Sequence, residues 1–559
     1  MLDGKSSRPT PALLLLLFAA CLLAAALPAV HRGVTVPLLR TLVPSAAVKA
    51  ATEPPAPVMP TATGTVLPTA FGSVQRYSLP CQLPAAGGGN GSVPGVLHIY
   101  LKALRWPQPR SGGDGPCPAH HLRLRGFVAF EFINRPPGWR APYLFHNPPE
   151  VGRTLRLMLR GSGSSAASGG GGGGGAWRRR VPLEFLLKEC EYRVREPGFD
   201  YQECLVEERR KLYSSWPSPQ SAFDLGHVSL DLGPDPPLDL EIGVDGWPRW
   251  LTLAPQLAAA LAAPPGRPVG GGASASASAP PLYQAMPYLR TLAIDHVALL
   301  LARSWEYHVP LGVAGLLMYV QPHWAAALAA QPLVRELTAS GRVALVLWEG
   351  FAGYDGWIDY DLQVVEAHAT LSLWGEGVLV LVQDPDEYLV PTTVGATLPD
   401  LLRPGTGCLA QLRTECRFLA RRDIFPPAAA ASGAVDEPQL WRTPGRHPLL
   451  RYGSAKYRPQ PKSLVDPAAT LPVDVHVTSA CVGADTVLTP GNDASPDGDL
   501  RSACAQRQAC DWVHPGCAWL AHVQNMVTQR VDVAAANLTD IWPAGWLWPL
   551  LGGGAGDGS

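Results

Sequence analysis

The chain has 559 residues, with 45 basic and 46 acidic side chains and a formal net charge of −1, so it lacks the field that would draw it to nucleic acid. Charged residues make up only 16% and apolar residues 47%, enough for a packed core, and the 57 glycines and 58 prolines fall in clusters that mark linkers inside a folded protein. Collagen, a coiled coil and a multi-span membrane protein are excluded: there is no glycine triplet period, no sustained heptad and only one long apolar run.

That run opens the chain. Lys5 and Arg8 precede the apolar stretch from Ala12 to Leu27, which Pro28, Ala29 and Val30 extend. Residues 1–30 therefore read as a secretory signal cleaved near Ala24-Ala25-Ala26, or as a retained signal anchor. Either outcome predicts a chain in the secretory lumen, in contact with a membrane only through this segment if it is uncleaved, as in a single-pass type II Golgi protein. Beyond Cys21, ten cysteines remain without any C-x-x-C pair, which predicts disulfides rather than a zinc site. Cys190 with Cys204 and Cys408 with Cys416 are plausible local pairs. Asn90-Gly91-Ser92 and Asn537-Leu538-Thr539 are N-glycosylation sequons.

Residues 31–70, rich in Pro, Ala and Thr, predict an extended stem. From 71 to 240, short apolar runs (Val96–Leu101, Leu122–Phe132, Val181–Leu187) between proline and glycine turns predict a disulfide-stapled, β-rich accessory domain. The glycine/serine run 161–175 predicts a disordered insertion, and 241–287, with its Gly270–Pro281 segment, predicts a linker.

From 288 to 535 the rhythm changes. Leu289–His308 has helical spacing, Val313–Val320 reads as a strand, and Pro322 opens a helix running to Gly341. Val343–Trp348 is a second strand, Asp359–Trp374 a second such helix, and Val378–Val382 a third strand. Alternation of this kind predicts βαβ units and a parallel sheet, and an apolar run without alternation predicts a strand covered on both faces. Residues 536–559, with Trp542, Trp546 and Trp548, form a tail.

The third strand runs into Gln383-Asp384-Pro385-Asp386-Glu387-Tyr388. Ligands in open α/β sheets bind beyond the carboxyl ends of strands. Asp384 and Asp386 are two apart, so in an extended segment their carboxylates share a face, and two hard oxygen ligands suit Mn²⁺ or Mg²⁺ with phosphate oxygens completing the shell. Two other D-x-D spacings, Asp359/Asp361 and Asp497/Asp499, fit a helix first turn and a surface turn instead.

Several segments together resemble glycosyltransferase family 92. They are Trp305-Glu306-Tyr307-His308 with Leu311-Gly312-Val313 and Met318-Tyr319, then Asp384-Pro385-Asp386-Glu387-Tyr388-Leu389 with Pro391. Lys462 and Val473-Asp474-Val475-His476 follow, then His522 with Asn525-Met526, where Val523 replaces the family's tyrosine. The resemblance spans about 288–531, and the preceding region is similar to the N-terminal module of the plant β-1,4-galactan synthase branch. It implies a GT-A fold (a Rossmann-like nucleotide-diphospho-sugar transferase), a nucleotide-sugar donor, most often UDP-galactose, a glycan acceptor, Mn²⁺ and inversion at the anomeric carbon. Asp384 and Asp386 would then hold the metal and the donor diphosphate, with His476 a third metal ligand and His522 a weaker one. Glu387 would orient the metal shell or the acceptor, and Lys462 and Arg530 would neutralise diphosphate charge.

Inversion also requires a base for the acceptor hydroxyl, for which Asp511 in Cys510-Asp511-Trp512 is the candidate. Trp348, Trp357, Trp374 and Trp512 are candidates for stacking on sugar rings. The competing readings are a carbohydrate-binding or matrix protein with a degenerate transferase domain, and a glycoside hydrolase, whose two carboxylates would have to stand apart across a sugar.

Overall fold

The computed structural model describes chiefly residues 74–84, 92–107, 120–132, 156–161, 177–185, 225–266, 281–286, 293–348, 358–412, 416–426, 436–443, 447–474, 477–482 and 510–524, with a few single positions inside these ranges excepted and a few short pieces beside them. All of them belong to one compact unit, Pro55–Ser559. The leader, most of the stem, the glycine/serine insertion beyond Gly161, most of Gly270–Pro281 and nearly all of the tail lie outside the described residues. No helix among the described residues is long and apolar enough to cross a membrane.

The chain is a mixed α/β protein. Its first part is β-rich: β1 (Gln75–Pro84), β2 (Ser92–Pro107) and β3 (His120–Phe132) form an antiparallel meander. β4 (Leu157–Gly161) pairs with β5 (Trp177–Arg180), and β6 (Gly226–Asp231) returns to pair with β3. Within the Val181–Leu187 run, the described residues include a two-residue strand, Glu184–Phe185, on β6.

The segment read as a linker is not one. It carries β7 (Glu241–Val244), β8 (Trp250–Thr252), α1 (Ala254–Ala262) and β9 (Leu282–Met286). β7 and β8 complete a small sheet of order β8-β7-β4-β5, while β9 is a central strand of the largest sheet. Only five residues long and preceded by an Ala/Ser/Gly/Pro run, β9 shows no pattern above its low-complexity surroundings.

The α/β part then follows the expected alternation. α2 (Ile294–Leu311) ends at Gly312, whose φ of 103° lies in the left-handed region and whose N–H reaches back to the His308 and Val309 carbonyls. A side chain there would be strained, and its Cβ would lie 2.7 Å from Pro399 Cδ. β10 (Val313–Val320) follows. The expected single helix from Pro322 is two, α3 (Pro322–Ala330) and α4 (Pro332–Ala339), because Pro332 holds Gln331 in extended geometry with ψ 128°. β11 (Val343–Leu347), α5 (Ile358–Leu373) and β12 (Leu379–Val382) complete the set.

These strands pair in parallel in the order β11-β10-β9-β12. The chain walks outward from β9 to β11 and then crosses back to lay β12 on the other side of β9. The sheet therefore changes direction between β9 and β12, the kind of switch point at which α/β proteins open a crevice at the carboxyl ends of the strands. Alternate residues serve two cores: Leu317, Tyr319, Val346, Val380 and Val382 face the α5 side, and Leu316, Met318, Leu345, Leu379 and Leu381 face the other. Burial on both faces explains the unbroken apolar runs.

Beyond β12 the sheet turns mixed, mostly antiparallel. β13 (Glu387–Pro391), β14 (Cys416–Phe425), α6 (Glu437–Arg442), β15 (Ser454–Val465) and β16 (Ala518–His522) give the continuation β12-β15-β14-β16-β13. The β-rich part shares the α5-side core, where Tyr100 stacks on Phe127 at 4.7 Å and on Trp348 at 5.9 Å between ring centroids. Trp348 and Trp374 are both buried there, so neither is available to a sugar. Trp512 is exposed, and Trp357 lies outside the described residues.

Among the described residues three disulfides are formed: Cys190–Cys204 as expected, then Cys408–Cys517 and Cys416–Cys510. The pairing of Cys408 with Cys416 is thus corrected. Cys416 starts β14, beside which the segment Cys510–Trp512 runs as a parallel strand, so the topology supplies each of the two cysteines with a distant partner.

Candidate active site

Gln383 to Asp386 form the loop that leaves β12 at the switch point, and β13 begins at Glu387. The expected extended geometry is replaced by a tight turn, in which the Glu387 N–H donates to the Asp384 carbonyl at 3.0 Å. Pro385 suits the second position of such a turn. The Glu387 side chain closes it from beneath, its Oε2 accepting the Asp384 N–H at 2.8 Å. Across the strands, Val523 N–H donates to the Asp386 carbonyl at 3.0 Å. The turn therefore presents Asp384 and Asp386 outward, with side chains 27% and 13% exposed, and keeps Glu387 fully buried.

Three neighbouring strands supply the surroundings, β14 antiparallel to β15 and parallel to β16. Lys462 on β15, 1% exposed, puts Nζ 3.1 Å from Asp384 Oδ2 and 4.0 Å from Glu387 Oε2. Arg421 on β14 puts Nε 2.8 Å from Glu387 Oε1. His522 on β16 lies opposite Glu387 in the strand register and 3.8 Å from Asp386 Oδ2. Its Nδ1 bonds Asp423 Oδ1 at 2.7 Å and its Nε2 meets Arg421 Nη2 at 3.1 Å. A guanidinium only donates, so the ring is the tautomer that carries its proton on Nδ1 and accepts at Nε2. Gln524 and Arg458 donate to the other Asp423 oxygen.

The electrostatics follow from this packing. Burial alone would raise the Asp384 carboxyl, but the nearby Lys462 and Arg421 charges and the Lys462 hydrogen bond outweigh it and lower it to about 2. For Glu387 burial wins, and the carboxyl is raised in spite of Lys462. Lys462 itself is pushed up by Asp384 and Glu387 against its own burial. Asp423 is lowered despite burial, chiefly by its hydrogen bond from His522, with the Arg458 charge adding to it. Asp384 thus stays ionised over the whole neutral range.

Asp384, Asp386, Glu387, Lys462 and His522 therefore converge at one place. Glu387 and Lys462 do so from beneath, where they support the turn and do not face solvent. Asp511 does not join them. It sits on a short strand opposite Arg417, four residues along β14 from Arg421, about 13 Å at the usual strand rise. His476, Asn525 and Arg530 lie outside the described residues. Sequence reading missed Arg421, Asp423 and Arg458. The signal for the first two is the Arg421-Arg422-Asp423 charge run inside the strand Cys416–Phe425, where a buried charge requires a partner.

Among the described residues no group of three His, Cys, Asp or Glu side chains is arranged to hold a metal ion. Asp384 and Asp386 fit a more modest role. Two carboxylates, both partly exposed on one turn, are the hard oxygen donors that Mg²⁺ or Mn²⁺ takes when substrate phosphates and water fill the remaining positions. No family model, curated protein or solved structure matches the chain.

Proposed function

We propose that the chain is an inverting glycosyltransferase of the GT-A type, moving a hexose from a UDP-sugar to a glycan acceptor. Galactose is the hexose implied by the resemblance to family 92. The observation that carries this reading is the Asp384-Pro385-Asp386-Glu387 turn, hung at the switch point between β9 and β12 with its two aspartates partly exposed.

Asp384 and Asp386 would hold the cation and, through it, the donor diphosphate. When bound, the cation supplies positive charge against the diphosphate as the nucleotide leaves. The remaining work belongs to the chain. Lys462 and Arg421 keep Asp384 ionised, while the Glu387 carboxylate fixes the turn by accepting the Asp384 N–H. Asp423 orients His522, whose ring stands beside Asp386. Asp511, opposite Arg417 on β14, stands apart from this turn and is not assigned the acceptor's proton. The disulfides among the described residues support residence in an oxidising compartment such as the secretory lumen, and anchoring in the Golgi membrane is part of the same proposal.

The test is turnover of several UDP-sugars by the purified chain, with and without Mn²⁺, with and without a galactan or N-glycan acceptor. Cation-dependent release of UDP supports the proposal. Absence of release with every donor, alongside retained glycan binding, would leave a carbohydrate-binding protein in its place.

A further inference from the structure

A second polar constellation lies in the β-rich part, on three neighbouring strands. Ser78 on β1 pairs directly with His98 on β2. His98 pairs with Ala129 on β3, and Glu131 lies two residues further on the same face. The side chains connect in a row: Ser78 Oγ lies 3.0 Å from His98 Nδ1, and His98 Nε2 lies 2.8 Å from Glu131 Oε2. His98 is buried, Glu131 is 17% exposed, and Ser78 is partly open to solvent.

The proton positions follow from donor chemistry. An ionised Glu131 only accepts, so His98 carries its proton on Nε2. The imidazole is neutral, because burial lowers its pKa, with Arg76 adding to the effect and the Glu131 hydrogen bond opposing it. Its Nδ1 is then a bare acceptor, and the Ser78 hydroxyl donates to it. Arg76 lies on the same face, two residues before Ser78. Its Nε is buried without a hydrogen-bond partner, and its charge is felt at His98.

We propose that Ser78, His98 and Glu131 form a nucleophile–base–acid relay for the hydrolysis of carboxylic esters, with Arg76 stabilising the oxyanion. The Ser78 oxygen attacks the ester carbonyl while its proton passes to His98 Nδ1, and Glu131 holds the resulting imidazolium. The C–O bond to the alcohol then breaks, and the departing alcohol takes the proton from His98, leaving acyl-Ser78. Water, deprotonated by His98, attacks this acyl group and releases the carboxylic acid and free Ser78. Ester plus water thus becomes acid plus alcohol, with no other reactant. The site shares no residue with the Asp384–Asp386 turn, so it stands or falls independently of sugar transfer.

The test uses the full chain with a fluorophosphonate probe, peptide mapping of the labelled residue, and p-nitrophenyl acetate as substrate. The expected result is covalent label on Ser78 and ester hydrolysis that falls on the order of 10²–10⁴-fold in His98→Asn, with a smaller fall in Glu131→Gln. Ser78→Ala, which removes one hydroxyl at a partly exposed position, should lose both label and hydrolysis while its thermal midpoint stays near that of the wild type. Absence of label on Ser78 in the folded protein overturns the proposal, as does labelling at an unchanged rate in His98→Asn.

Discussion

Lys462 and Asp384 meet at 3.1 Å, with the cation sealed inside β15 and the carboxylate partly open to solvent. The ion pair thus runs from core to surface, and its outer member is the residue placed to meet a ligand. Arg421 and Glu387 make a second, deeper pair below it.

Exchange of either outer carboxylate for an amide keeps the shape of the turn but removes a charged oxygen donor. Asp384→Asn and Asp386→Asn are each expected to lower kcat/KM for sugar transfer by roughly a hundredfold or more, about 2.7 kcal/mol of transition-state stabilisation. Steady-state kinetics with UDP-sugar and a Mn²⁺ titration decide the matter. A double variant that retains transfer would remove these residues from the site.

Lys462→Met leaves Asp384 and Glu387 facing each other without the cation between them. Loss of one partner of a buried pair costs about 3–5 kcal/mol, to be read from the urea midpoint. Acid adds a second readout. Asp384 is held at about 2 in the fold against ~3.9 in an unfolded chain. A lowered carboxyl stabilises the fold above the unfolded value, and that contribution disappears as pH falls through the folded one. The stability gap between wild type and Asp384→Asn should therefore be full at pH 5 and close as pH falls toward 2. A gap of constant size would show that the carboxylate is not held by these charges.

Lys102 is buried on β2, and its ammonium donates to the Ser372 and Trp374 carbonyls at 2.8 and 2.7 Å. It caps the carboxyl end of α5, where a cation is favoured, and so ties that helix to the β-rich part. Burial lowers its pKa from 10.5 to about 8, against the opposing pull of Glu376. Between those values the unfolded chain keeps a proton that the folded chain has released, so stability rises with pH in that window. Measured from pH 8 to 10 against Lys102→Met, the wild type should gain on the variant. A difference that shrinks over this range would contradict the burial argument.

Cys408–Cys517 and Cys416–Cys510 close loops with sequence separations of 109 and 94. In the loop-entropy account, closure of a loop of about 100 residues contributes roughly 4–5 kcal/mol, against about 3 kcal/mol for the 14-residue separation of Cys190 and Cys204. Cys416→Ala with Cys510→Ala should thus lower the thermal midpoint more than Cys190→Ala with Cys204→Ala. Peptide mapping without reductant should find Cys408 with Cys517, and recovery of a Cys408–Cys416 peptide would refute this connectivity.

Much of the parallel sheet was legible in advance. Val313–Val320 and Leu379–Val382 announce themselves because strands buried on both faces must be apolar throughout. β9 was not, since its five residues carry no helix or strand rhythm of their own and become a strand only because β10 and β12 offer their edges to it. The split between α3 and α4 was readable from Pro332, whose missing N–H acts locally. The turn at Asp384–Glu387 was harder to see, because it depends on the Glu387 carboxylate reaching back to a backbone amide.

Composition, periodicity and local spacing by themselves determined the α/β alternation, the expectation of disulfides and the two aspartates at the end of an interior strand, because these depend on side chains close together in the chain. Only the tertiary structure decided that β9 lies between β10 and β12, that Cys416 meets Cys510, and that Lys462, Arg421 and His522 gather beneath one turn. Those contacts join segments about a hundred residues apart or more, and their partners are chosen by strand order and register, which no local pattern encodes.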